Sequence, residues 1–124
     1  MSPDYSTFSE NQLRYALATK VMGWKLFNYE DDAYGKEDEW ERDASKNDGW
    51  HWEGDMDREA WQWDPTRDWN HTMEVVIALN RTTFQLEIPA MAGLKCCASF
   101  KEGNFSWHGD PQRAICLAAL LACD

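Results

Sequence analysis

The chain has no run of lysine or arginine, no long apolar stretch and no Cys-x-x-Cys pair. Phosphate-backbone contacts need clustered cations, so the first absence argues against ordinary DNA or RNA binding. It argues equally against attachment to an anionic membrane surface. A membrane helix needs roughly 20 consecutive apolar residues, and no stretch approaches that length. Met1 to Ser9 lacks the charged-then-apolar plan of a secretory leader, so a cytoplasm is the expected compartment. The four cysteines fit a reducing setting: without a Cys-x-x-Cys pair a zinc site would need unusual spacing. They are expected to be small buried apolar residues. Cys96 and Cys97 are adjacent and point to opposite faces of a strand, so at most one of them reaches a core. No internal repeat is present.

What the chain does have is unevenly placed charge. Its 124 residues are 27% charged and 44% hydrophobic, an ordinary globular mix, with a net charge of −10. Between Glu30 and Asp64 stand 14 acidic and 4 basic residues, which accounts for the whole −10; the rest of the chain is balanced. The same stretch holds Trp40, Trp50, Trp52, Trp61 and Trp63. At this length one domain is expected. It spans residues 1–124, as a neutral body carrying an acidic, Trp-rich insert at residues 30–63.

The body reads as a helix, the insert, a second helix, three antiparallel strands and a last helix. Ser9 with Gln12 forms a capping box, flanked by Phe8 and Leu13 as a hydrophobic staple. Leu13, Ala16, Leu17 and Val21 follow helical spacing, and Gly23 suits the position after a helix. Trp24 to Tyr29 reads as a short extended exit. Within the insert, Lys36 to Lys46 has the composition of a helical turn or two. Asn47-Asp48-Gly49 marks a turn. A second helix is expected from Asp64-Pro65-Thr66 to Asn80, with Trp69, Met73, Val76 and Ile77 on its apolar face. Thr82–Ile88 alternates as a half-buried strand. In Leu94–Lys101, Leu94, Cys96, Ala98 and Phe100 share one face, and Lys95, Cys97 and Ser99 the other. Glu102-Gly103-Asn104 turns into a third strand, Phe105–His108. Asp110 and Pro111 start a last helix that is apolar on most sides and so should be the most buried. The expected fold class is α+β, a three-layer α-β-α sandwich with a small antiparallel three-stranded sheet.

Three stretches carry a family resemblance. Ala18-Thr19-Lys20-Val21-Met22-Gly23-Trp24 resembles the end of the first helix in small phage and prophage proteins with the phage α-β-α (ABA) sandwich domain. Asp64-Pro65-Thr66 followed by Met73-Glu74-Val75-Val76 is similar to its second helix, and Ala114 to Ala122 to its C-terminal helix. The order is right, and the insert lies outside the likeness. The resemblance implies a phage or prophage origin and an α-β-α fold. It brings no assigned activity and no catalytic residue.

Catalysis is not the expected role. The three histidines, His51, His71 and His108, stand near no recognisable nucleophile motif, and no cofactor is implied. Asp55, Asp57 and Glu59 alternate like a calcium loop, but Ala60 and Trp61 follow where that motif needs glycine. No metal site is expected. The tryptophans carry two readings beyond core packing. In the first, Trp24, Trp69 and Trp107 stack on a small nucleotide-like ligand whose phosphate meets Arg67 and Arg113. Arg14, Lys20, Arg81, Lys95 and Lys101 are further body cations in reserve for it. Helix N-termini near Thr66 and Pro111 would add backbone N–H donors. A phage protein of this kind would sequester an immune signal of the host, as a homo-oligomer and without turnover. In the second reading, Glu37, Asp38, Glu39, Trp40, Glu41, Trp50 and Trp52 form an acidic decoy that blocks a host defence protein.

Overall fold

The computed structural model describes residues 4–28, 33–35, 49–54, 58–79, 84–89, 95–101 and 104–123. Helix α1 (Glu10–Ala16) starts as its sequence dictates: Ser9 Oγ accepts from the Gln12 N–H at 3.2 Å, and Gln12 Oε1 accepts from the Ser9 N–H at 2.8 Å. Leu13, Ala16 and Leu17 are buried along its inner face. The helix then widens into a π-turn over Leu17–Val21. Gly23, at φ 73°, turns the chain out of it, and the Trp24 N–H closes onto the Ala18 carbonyl at 2.9 Å. A left-handed φ of this kind is open to glycine at little cost.

The acidic segment departs from the expected insert. The exit from α1 is strand β1 (Lys25–Asn28), and three pieces of the segment pair around it: β2 (Ala33–Tyr34), β3 (Trp50–Glu53) and β4 (Arg58–Glu59). Together they make an antiparallel sheet of order β2-β1-β3-β4. Leu26 stands opposite Trp52 and Asn28 opposite Trp50, and all four are buried. The period-2 spacing of the two tryptophans puts both on the inner face. Trp50 and Trp52 are therefore core residues, 3% and 1% exposed, and not anchors for a partner. Glu37, Asp38, Glu39, Trp40 and Glu41, the helical turn expected over Lys36–Lys46, and Asp55 and Asp57 lie outside the described residues.

Helix α2 (Trp69–Leu79) begins later than expected. Asp64 caps a separate turn, its Oδ1 accepting from the Thr66 N–H at 3.0 Å, and Asp68 then caps the helix, accepting from the Asn70 N–H at 2.8 Å. The face is also corrected. Thr72 and Val75 are buried, while Trp69, Met73 and Ile77 are exposed. Burying Thr72 costs little because its hydroxyl donates to the carbonyls of Pro65 (2.7 Å) and Asp68 (3.0 Å) and accepts from Gln112 Nε2 (3.3 Å).

The expected three-stranded antiparallel sheet is present as β5 (Gln85–Glu87), β6 (Cys96–Lys101) and β7 (Asn104–His108), in that order. Helix α3 (Pro111–Cys123) follows, capped by Asp110. It is buried over most of its length, as its composition predicts, and packs on β6 and β7 as well as on α2 and the π-turn. The α+β class and the helix-on-sheet sandwich are as the sequence implies. One continuous cluster of buried side chains links α1, the first sheet and α3: Leu13, Leu17, Trp52, Trp63, Phe100, Ile115 and Leu120 belong to it. All four cysteines are free; Cys96 joins the core cluster and Cys97 does not. No described helix is long and apolar enough to cross a membrane.

Candidate ligand-binding groove

The sheet β5–β7 has two unlike faces. Cys96, Ala98 and Phe100 pack inward against α3. On the other face, strand register builds a row. Glu87 of β5 is the partner of Cys97 in β6, and Cys97 is the partner of Trp107 in β7. Partners across neighbouring strands point to the same side, so these three side chains stand next to one another. With Ile88, Pro89 and Lys95 they line an open groove of about 510 Å³. Trp107 is 58% exposed on one wall. Lys95, two residues before Cys97, brings an exposed ammonium. Burial and the neighbouring Glu87 carboxylate push the Cys97 thiol above its ordinary pKa, so at neutral pH it stays protonated. The groove therefore offers an aromatic face, one cation, one carboxylate and a neutral thiol floor.

Of the five residues expected to bind a ligand, only Trp107 lines this groove. Trp24 is buried, edge-to-face with Trp63 at 4.9 Å between ring centroids. It borders a separate open cleft of about 480 Å³ with Tyr15, Lys25 and Tyr34. Trp69 stands exposed at the start of α2. Arg67 pairs with Glu10 at 2.8 Å, and Arg113 donates to the Phe8 carbonyl. The structure thus spends these two guanidiniums on holding the N-terminal segment. Arg14 does similar work. Its Nε donates to the Trp63 carbonyl at 3.1 Å and its Nη2 to the Ala60 carbonyl at 3.2 Å, fastening α1 to the end of the acidic segment. Burial lowers its pKa, an effect the Asp64 carboxylate opposes. Lys20 donates to the Tyr5 hydroxyl at 2.8 Å. Arg81 lies outside the described residues, and the Lys101 side chain is not among those described.

Neither expected helix N-terminus is open to phosphate. The Thr66 N–H donates to Asp64 Oδ1 and the Gln112 N–H to Asp110 Oδ1, both at 3.0 Å. A carboxylate already occupies each position that an anion would take. The histidines are engaged with backbone: His71 Nδ1 accepts from the Asp64 N–H and His108 Nδ1 from the Asp110 N–H, both at 2.9 Å, while His51 Nδ1 lies 3.1 Å from the Gly49 carbonyl. Among the described residues no cluster of His, Cys, Asp and Glu is placed to hold a metal ion. Sequence reasoning missed Glu87, Ile88 and Pro89 as groove residues. The signal was present, since Lys95, Cys97 and Ser99 alternate away from the core and Gln85 and Glu87 do the same on β5.

The family described as the phage ABA sandwich domain matches residues 15–120 of the chain. A search of curated proteins finds no match, and neither does a search of solved structures.

Proposed function

The chain belongs to the phage ABA sandwich domain family, and from that premise we propose that it is a non-catalytic counter-defence protein that sequesters a small nucleotide-like immune signal in the Trp107 groove. One observation supports this reading above others: a tryptophan 58% exposed beside an exposed lysine on an open groove of about 510 Å³. That volume is within the range of roughly 300–1,000 Å³ typical of small-molecule sites. A base stacked on an indole face gains about 1–3 kcal/mol, and an ammonium beside it balances one phosphate charge. The groove's own thiol is held protonated, which favours holding a ligand over attacking it. The setting proposed is the cytoplasm of an infected bacterium, and the protein is proposed to self-associate.

The deciding experiment incubates the purified chain with lysate from cells whose nucleotide-signalling defence is active, then denatures it and identifies released small molecules by mass spectrometry. An intact nucleotide is expected from the native protein and none from Trp107→Ala. Recovery of cleaved products, or the same release from Trp107→Ala, would overturn the reading. Light scattering on the same preparation tests self-association, and a monomer at working concentration counts against that part.

A further inference from the structure

The groove sets a carboxylate and an ammonium on the strands beside its stacking wall, and this narrows the ligand, on the reading just given. Strands are about 4.8 Å apart, so the backbones of Glu87 and Trp107 stand about 10 Å apart across Cys97. A flat ring stacked on Trp107 occupies the space above Cys97, within reach of the Glu87 carboxylate from the far strand. Glu87 and Trp107 both line the groove, and both border a smaller adjoining hollow with Gln85. An ionised carboxylate only accepts hydrogen bonds. It pairs with an exocyclic amine and opposes a ring carbonyl oxygen. Adenine and cytosine each present such an amine, which unsubstituted purine lacks.

Charge sets the second limit. Lys95 is the one cation among the named groove residues, and Glu87 cancels it. A single phosphate beside Lys95 is accommodated. A longer phosphate chain brings additional negative charge toward Glu87, on a protein whose net charge is already −10. We infer that the Trp107 groove takes a mononucleotide with an amine-bearing base, the amine donating to Glu87 and the phosphate facing Lys95.

The pair AMP and purine riboside 5′-monophosphate tests this directly, because they differ only in the exocyclic amine. Calorimetric titration of the full chain is expected to give AMP binding about tenfold tighter than the purine nucleotide, the lower part of the range for one discriminating base contact. In Glu87→Ala no acceptor is left for the amine, so the preference should fall to within about twofold. ADP should bind more weakly than AMP. Equal binding of AMP and the purine nucleotide, an unchanged preference in Glu87→Ala, or tighter binding of ADP each overturns this inference. If binding of both nucleotides is nevertheless lost in Trp107→Ala, the groove remains the ligand site and only its selectivity is wrong. No binding of either nucleotide overturns the selectivity and counts against the groove as well.

Discussion

The two sheets use the same residue in opposite ways. In the first, Trp50 and Trp52 are 3% and 1% exposed and close the core under α1; in the second, Trp107 is 58% exposed and is not part of the core cluster. Both sheets are small and antiparallel. The difference lies in what faces them. Tyr15 of α1 meets Trp52 at 6.0 Å between ring centroids, and Trp63 packs edge-to-face on Trp24. Around Trp107 the structure leaves an open groove instead. An indole costs little to expose only where something else supplies the core, and here α3 packs on the other face of that sheet. The acidic segment thus contributes buried indoles to the core, while the edge strand leaves its indole on an open groove.

The sharpest way to break that comparison is to truncate the buried tryptophan. Trp52→Ala removes a fully enclosed indole and is expected to destabilise the fold by about 3–5 kcal/mol. Denaturant unfolding followed by circular dichroism measures it. A loss under about 1 kcal/mol would mean that the Trp-rich sheet is not part of the cooperative core, and that the acidic segment is an appendage after all.

Glycine provides a finer probe of the same packing. A Cβ added at Gly54 would fall on the Trp24 indole, and one at Gly35 would fall on the Trp50 ring. Both indoles are buried, so neither can swing clear without opening the core. Gly54→Ala is expected to cost about 1–3 kcal/mol, the usual range for overpacking. The same substitution at Gly109, where a Cβ meets nothing within 4 Å, serves as the control and should be nearly silent. A neutral Gly54→Ala would show that the first sheet is loosely packed against Trp24.

How much of this was legible depended on whether the determining contact was local. The Ser9–Gln12 capping box, the positive φ at Gly23 and the buried α3 all follow from a few adjacent residues, and each appears as the sequence implies. The face of α2 did not follow. Its hydrophobic stripe, Trp69, Met73 and Ile77, points to solvent, because Thr72 is satisfied by Pro65, Asp68 and Gln112, all of them outside the helix. Hydrophobic spacing cannot register a partner 40 residues away. The first sheet was hidden for a related reason. Its strands are two to four residues long, and β1 pairs with β3 across a stretch whose acidity reads as loop. Only the alternation Trp50-His51-Trp52 betrayed it. For the groove, the outward faces of β5 and β6 were readable one strand at a time. The row Glu87, Cys97 and Trp107 needed the register, which is a property of the folded sheet.

The smallest expected effect is the one that separates function from stability. Trp107→Ala removes an indole that is mostly in water already and touches the sheet's outer face. Surface substitutions of this kind usually stay within about ±0.5 kcal/mol. The loss should be modestly larger here, because Trp107 also borders a shallow hollow with Tyr5, Leu117 and Leu121. About 0.5–1 kcal/mol is therefore expected from unfolding curves, several times less than for Trp52→Ala. Nucleotide binding should disappear in the same protein, because the stacking wall is gone. If Trp107→Ala instead destabilised the chain as much as Trp52→Ala, the exposed tryptophan would be a structural prop, and its loss of binding would say nothing about a site. A stable Trp107→Ala protein that no longer binds isolates the groove as function, carried on a core built elsewhere.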